Sequence, residues 1–122
     1  MDIYAQNILD HYKHPRHKEP LPAADATERG SNASCGDDLM VALQFSGQKI
    51  KALSFQGHGC AISQAAISIL TEALVGKTKN AVLAMDFKTI QSLLGVPISE
   101  RRYKCAMLGL STIQKAIKKA KA

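Results

Sequence analysis

The apolar residues of this chain change their spacing near its middle, and that change divides it into elements. From Asp2 to Lys13, Ile3, Tyr4, Ile8 and Leu9 recur at a helical period and Pro15 ends the pattern, so the chain opens on an amphipathic helix. His14 to Ala26 carries Pro15, Pro20 and Pro22 with few large apolar groups, which predicts an extended surface connection. Leu39, Val41, Leu43 and Phe45 then alternate with other residues between Asp38 and Phe45. Ser46-Gly47-Gln48 separates them from Ile50, Leu53 and Phe55, the pattern of a β-hairpin. The preceding stretch from Ala26 to Asn32 is polar enough to be an edge strand of the same antiparallel sheet.

From Cys60 onward the period becomes helical. Ile62, Ala65, Ala66, Ile69, Ala73 and Leu74 fall on that spacing, Gly76 stops the run, and a helical wheel centres the core face near Ile62, Ala66, Ile69 and Ala73. Thr78 is placed to cap a short helix through Met85, and Asp86 another through Leu94. Ser99, with Arg101 and Arg102 behind it, opens a last long helix. The expected fold is α+β, a small three-stranded antiparallel sheet packed against several helices. One domain over residues 1–122 is large enough to bury a core without disulfide or metal staples.

Composition removes several classes of function. The formal charge of +6 invites nucleic acid, but much of the excess sits in Lys115, Lys118, Lys119 and Lys121, where cations complement the dipole of the last helix. With 5% aromatic residues, no tryptophan and no basic-aromatic interleaving, no nucleic-acid partner is expected. Met1-Asp2-Ile3-Tyr4 lacks the basic start and apolar run of a secretory signal, and no apolar stretch is long enough to cross a bilayer. A cytoplasmic location without a membrane partner is the expectation.

Three cysteines cannot close into a full disulfide set, and in a reducing compartment all three stay thiols, so reactive or metal-bound thiols lead. They stand in Cys35-Gly36-Asp37 before the hairpin, in Gly57-His58-Gly59-Cys60 at its far end, and in Lys104-Cys105 on the last helix. A wheel of that helix puts Tyr103, Ala106, Met107, Leu110, Ile113 and Ile117 on the core face and turns Cys105 away from it; the wheel of the preceding long helix likewise leaves Cys60 off the core, in the first turn. Both read as presented thiols. A helix start favours thiolate at Cys60, and Lys104 is a candidate to do the same for Cys105. Glycines beside Cys35 and Cys60 suit positive φ or close approach to an ion.

Three thiolates and one carboxylate make a four-coordinate site for zinc or for iron in a cluster. No C-x-x-C pair is present, which excludes a zinc ribbon and ranks a redox dithiol last. His58 competes with Asp37 as fourth ligand and is placed below it. His11, His14 and His17, around Pro15, read as surface or capping residues.

The stretch from Tyr4 to His17, with Ile8, Asp10-His11-Tyr12 and Pro15-Arg16, resembles the opening of the U-type iron–sulfur scaffold family, which includes IscU, SufU and the N-terminal domain of NifU. The resemblance continues through S-N-A-S-C-G-D, F-Q-G-H-G-C-A-I-S-Q-A and R-R-Y-K-C-A and covers essentially the whole chain. It implies a SufE/NifU-like fold and ligand roles for Cys35, Asp37, Cys60 and Cys105. It also implies a transient cluster of the 2Fe–2S type or zinc in the protein as isolated. The implied partners are a cysteine desulfurase that delivers persulfide sulfur and apo-proteins that accept the cluster. A scaffold of this kind performs no small-molecule turnover. In the alternative, a SufU-like sulfurtransferase, zinc occupies the same ligands and Cys105 or another thiol, with Lys104 beside it, accepts the persulfide. Lys104 stands where the IscU branch places histidine, which resembles SufU, although the long insertion of many SufU proteins is missing. Val96-Pro97-Ile98-Ser99 replaces the L-P-P-V-K segment of IscU proteins, which argues against a dedicated Hsp70 chaperone.

Overall fold

The computed structural model describes residues 3–121, and the side chains of residues 6–120. Helix α1 (Ile3–Lys13) precedes strand β1 (Ala26–Asn32), a 3-10 turn (Ala33–Cys35), β2 (Asp37–Ser46) and β3 (Lys49–His58). Helices α2 (Ala61–Ala73), α3 (Lys79–Leu83) and α4 (Phe87–Leu94), a second 3-10 turn (Glu100–Arg102) and α5 (Tyr103–Lys121) complete the chain. The expected α+β architecture is present: one antiparallel sheet in the order β1-β2-β3, with α2 and α5 packed against it and α1, α3 and α4 packed on those helices. No helix among the described residues is long and apolar enough to cross a membrane.

The sheet follows from alternation. On β2, Leu39, Val41 and Leu43 are buried, while Met40 faces outward between Arg29 of β1 and Gln56 of β3. The polar strand Ala26–Asn32 lies at the sheet edge, where few of its side chains need burial. The hairpin turn is Gly47-Gln48, and β2 and β3 run longer than the apolar pattern alone suggested, to Asp37 and His58.

Helix α2 occupies the centre, against α1, α4, α5 and β3, and this corrects the expected single core face. Its residues from Ser63 to Thr71 are buried all round the helix, whereas Ile62 and Ala73 are only half-buried. Ile67 and Leu70, off the expected stripe, are wholly inside, each stabilising the fold by about 1.5–3 kcal/mol. Two polar side chains on α2 find partners: Thr71 donates to the Ser68 carbonyl at 2.6 Å, and Ser68 Oγ accepts from the Arg16 backbone N–H at 2.9 Å. That leaves the Ser68 hydroxyl proton for His11 Nδ1, 2.8 Å away. His11 is thus a buried residue joining α1 to α2, which corrects its expected surface role; His14 and His17 are exposed.

The caps stand where the sequence put them for α3 and α4: Thr78 Oγ accepts from the Ala81 N–H and Asp86 from the Thr89 N–H. Ser99 makes no side-chain cap, and the turn Glu100–Arg102 leads directly into α5. Asp2, and the side chains of Ile3, Tyr4 and Lys121, lie outside the described residues.

Candidate metal centre

The three cysteine segments converge at one end of the sheet. Cys35 closes the turn after β1, and Gly36, at φ 69°, lets the chain reverse at once into β2. Asp37 is the first residue of β2 and shares the inward side with Leu39 and Val41; it is 2% exposed. Cys105 sits in the first turn of α5, beneath that turn.

A thiol of Cys35, a carboxylate oxygen of Asp37 and the thiol of Cys105 lie within 4.8 Å of one another, the one such donor cluster among the described residues. The Cys105 thiol donates to Cys35 Sγ at 2.7 Å, and Asn32 Nδ2 stands 3.7 Å from Cys105 Sγ. Cys60 adjoins this cluster as the N-cap of α2, not in its first turn, and its Sγ accepts from the Ser63 N–H at 3.5 Å. Asp37 Oδ1 ties the two loops together, accepting from the Cys60 N–H at 2.9 Å and from the Ser63 hydroxyl at 3.0 Å. Its Oδ2 is buried without a hydrogen-bond partner. A buried, unpartnered carboxylate oxygen costs free energy unless a cation or donor meets it. With two thiols beside it, the donor set fits a thiophilic metal.

Burial overturns the expectation that Cys105 is presented. It is 0% exposed, and the buried face of α5 runs through Cys105, Ala106, Leu110, Thr112, Ile113, Ala116 and Ile117, whereas Tyr103, placed by the wheel on the core face, is 45% exposed and packs on Phe87. Burial, then the hydrogen bonds with Cys35 and Cys60, push the Cys105 thiol well above the ordinary thiol range. Lys104 is exposed, and the cation that pairs with these sulfurs is Arg102, whose own pKa is raised by its hydrogen bond to Cys105 and by the nearby Cys60. The sequence reading missed Arg102, three positions before Cys105 on a turn, and Ser63, which looks like an ordinary helix-start serine.

The site is reached from the side of Cys35. A cleft of about 530 Å³ opens onto this half-buried residue between Asn32, Arg101, Tyr103 and Lys104. His58 pairs across the sheet with Asp38 and is exposed, and Asp38 is bound by Arg29 at 2.7 Å.

A family model for the NifU-like N-terminal domain matches residues 3–122. The zinc-dependent sulfurtransferase SufU of Bacillus subtilis is 31% identical, over 96% of this chain and 90% of its own length. The iron–sulfur cluster assembly scaffold protein IscU of Streptococcus pyogenes is 30% identical, over 97% of this chain and 84% of its own. Among solved structures, a putative iron–sulfur cluster assembly scaffold protein for the SUF system from Fervidobacterium islandicum superposes with a TM-score of 0.78 at 32% identity, covering 92% of this chain and 94% of that one.

Proposed function

This chain belongs to the family of NifU-like N-terminal domains, and on that premise we propose that it is an iron–sulfur cluster assembly scaffold. Iron and persulfide sulfur from a cysteine desulfurase are combined on Cys35, Cys60 and Cys105, with Asp37 as the fourth ligand, and an external electron donor reduces the sulfane sulfur to the sulfide of the cluster. The cluster, of the 2Fe–2S type, then passes to an apo-acceptor. The observation that carries this reading is the orphaned Oδ2 of Asp37, buried beside the thiols of Cys35 and Cys105. Thiolates suit iron in a sulfide cluster, and a single harder oxygen makes one corner weak, which suits cargo that must leave.

In the second reading the chain is a zinc-bound sulfurtransferase, supported by its 31% identity to the zinc-dependent SufU. When bound, zinc holds the thiols as thiolates and orders the loops. The chain's own part is nucleophilic. A thiolate attacks the outer sulfur of the donor's persulfide, a new S–S bond forms, the donor's S–S bond breaks, and the donor cysteine leaves as thiolate. Cys35 lies at the mouth of the cleft and meets the donor first. Cys105, the persulfide acceptor expected from the sequence, is buried behind it, 2.7 Å away.

Anaerobic purification with metal and sulfide analysis separates the readings. Visible absorbance with acid-labile sulfide supports the scaffold. One tightly held zinc per chain, with sulfur accepted from a desulfurase and no cluster formed, supports the sulfurtransferase.

A further inference from the structure

The carboxylate of Asp37 is held on one side only. Oδ1 accepts two hydrogen bonds, from the Cys60 N–H and the Ser63 hydroxyl, while the buried Oδ2 accepts none. Ser63 is itself fully buried, and its backbone N–H stands 3.5 Å from Cys60 Sγ. One residue therefore touches two of the four candidate ligands from behind. Its single hydroxyl proton has two acceptors in reach, Asp37 Oδ1 at 3.0 Å and the Cys60 carbonyl at 3.1 Å. The charged carboxylate is the stronger acceptor of the two. Gly59 keeps the contact tight, since a Cβ there would stand 2.5 Å from both Asp37 Oδ1 and Ser63 Oγ.

We propose that Ser63 is a positioning residue of the metal centre, holding Asp37 by Oδ1 so that Oδ2 alone is offered to an ion. The inference rests on the ligand set proposed above. Without the hydroxyl, the carboxylate keeps one hydrogen bond and turns about its Cβ–Cγ bond, so the oxygen that meets the ion is no longer fixed in advance. Groups that orient a ligand in this way commonly matter about 10- to 100-fold in metal affinity.

The test titrates the metal-free full-length chain with Co²⁺ against a competing chelator, reading affinity and the visible ligand-field spectrum. Ser63→Ala is expected to bind Co²⁺ about 10-fold more weakly and with an altered spectrum, while the metal-free chain still unfolds cooperatively, at a melting temperature lowered by the lost hydrogen bond. In an Asp37→Ala background the same change is expected to cost less than about 2-fold, because the hydroxyl has no carboxylate left to hold. Equal losses in the two backgrounds, or parent-like affinity and spectrum in Ser63→Ala, would overturn the positioning role and leave the assembly reading standing. A parent chain that binds Co²⁺ without needing Cys35 and Cys105 would overturn both.

Discussion

The sulfurs of Cys105 and Cys35 lie 2.7 Å apart across 70 positions of sequence, one wholly buried and the other at the mouth of a cleft. The two thiols therefore respond differently to substitution. Cys35→Ser and Cys105→Ser should each abolish tight metal binding, since a serine hydroxyl is a poor substitute for thiolate. In the metal-free protein Cys35→Ser should change stability by no more than about 0.5 kcal/mol. Cys105→Ser, which buries a hydroxyl between α5 and the loop that carries Cys35, should cost about 1–3 kcal/mol. Denaturant unfolding of the metal-free variants measures both. A cooperative loss of structure in either would make the metal structural and contradict the assembly reading.

The Cys105 thiol also sets a pH dependence. Its folded pKa is raised above the ordinary value of 9.0, so the metal-free fold holds the proton more tightly than the unfolded chain does. That contribution to stability is fully present below pH 9.0 and is lost as pH rises from there towards the folded pKa. Metal binding must displace this proton, so affinity should increase with pH over the same range in which the metal-free protein weakens. Melting curves across that range, with and without Zn²⁺, should therefore diverge. Parallel curves would count against a buried Cys105 as ligand.

Arg102, not Lys104, is the cation to remove. Arg102→Gln should slow alkylation of the site's thiols by iodoacetamide by roughly 3-fold near neutral pH, because it removes the cation beside the sulfurs as negative charge develops there. Lys104→Gln, on an exposed side chain that lines the cleft, where solvent screens its charge, should change the rate less. The reverse ranking would restore Lys104 as the activating group.

Much of the fold was legible because its signals are local. The edge strand Ala26–Asn32, the caps at Thr78 and Asp86, and the Gly36 reversal depend on residues next to one another in sequence. The misreadings share one cause, that a helical wheel describes a helix with a single neighbour. Helix α2 has partners on every side, so Ser63, Ile67 and Leu70 are as buried as the expected stripe. The first turn of α5 lies under the loop that carries Cys35, so Cys105 is covered by residues 70 positions away. His11 was misplaced similarly, because its partner, Ser68, is 57 positions distant.

His11 gives an acid-side prediction. Burial lowers its pKa below the ordinary 6.5, so the neutral ring, accepting from Ser68 through Nδ1, is the folded form. The unfolded chain takes up the proton first, so stability is fully present above pH 6.5 and falls as pH drops below it towards the folded pKa. His11→Asn retains an acceptor near Nδ1 and cannot titrate, so the variant should show a flatter stability profile between about pH 6.5 and 5. A profile as steep as the parent's would assign the acid sensitivity to another group.

Asp37 carries two roles that its two oxygens divide between them. Oδ1 is a structural acceptor for the Cys60 N–H and the Ser63 hydroxyl, and Oδ2 is the free oxygen beside the thiols. Asp37→Ala removes both and leaves two buried donors without their acceptor, which should cost about 1–3 kcal/mol of metal-free stability. The structural and ligand roles thus cannot be separated by that variant. Asp37→Asn separates them, because its amide oxygen can still accept from Cys60 and Ser63 while the second oxygen is replaced by a neutral NH₂. Asp37→Asn should lie closer to the parent than Asp37→Ala in melting temperature but resemble Asp37→Ala in cluster chemistry. If a single hard oxygen is what makes the site exchangeable, both variants should assemble a cluster on the three thiolates and pass it to an apo-acceptor more slowly than the parent. The measurement is the rate of acceptor reconstitution from pre-loaded protein under anaerobic conditions. Parent-like or faster transfer from Asp37→Asn would leave Asp37 a fold residue and move the origin of lability to the thiolates, with Cys35 at the open edge the first to examine.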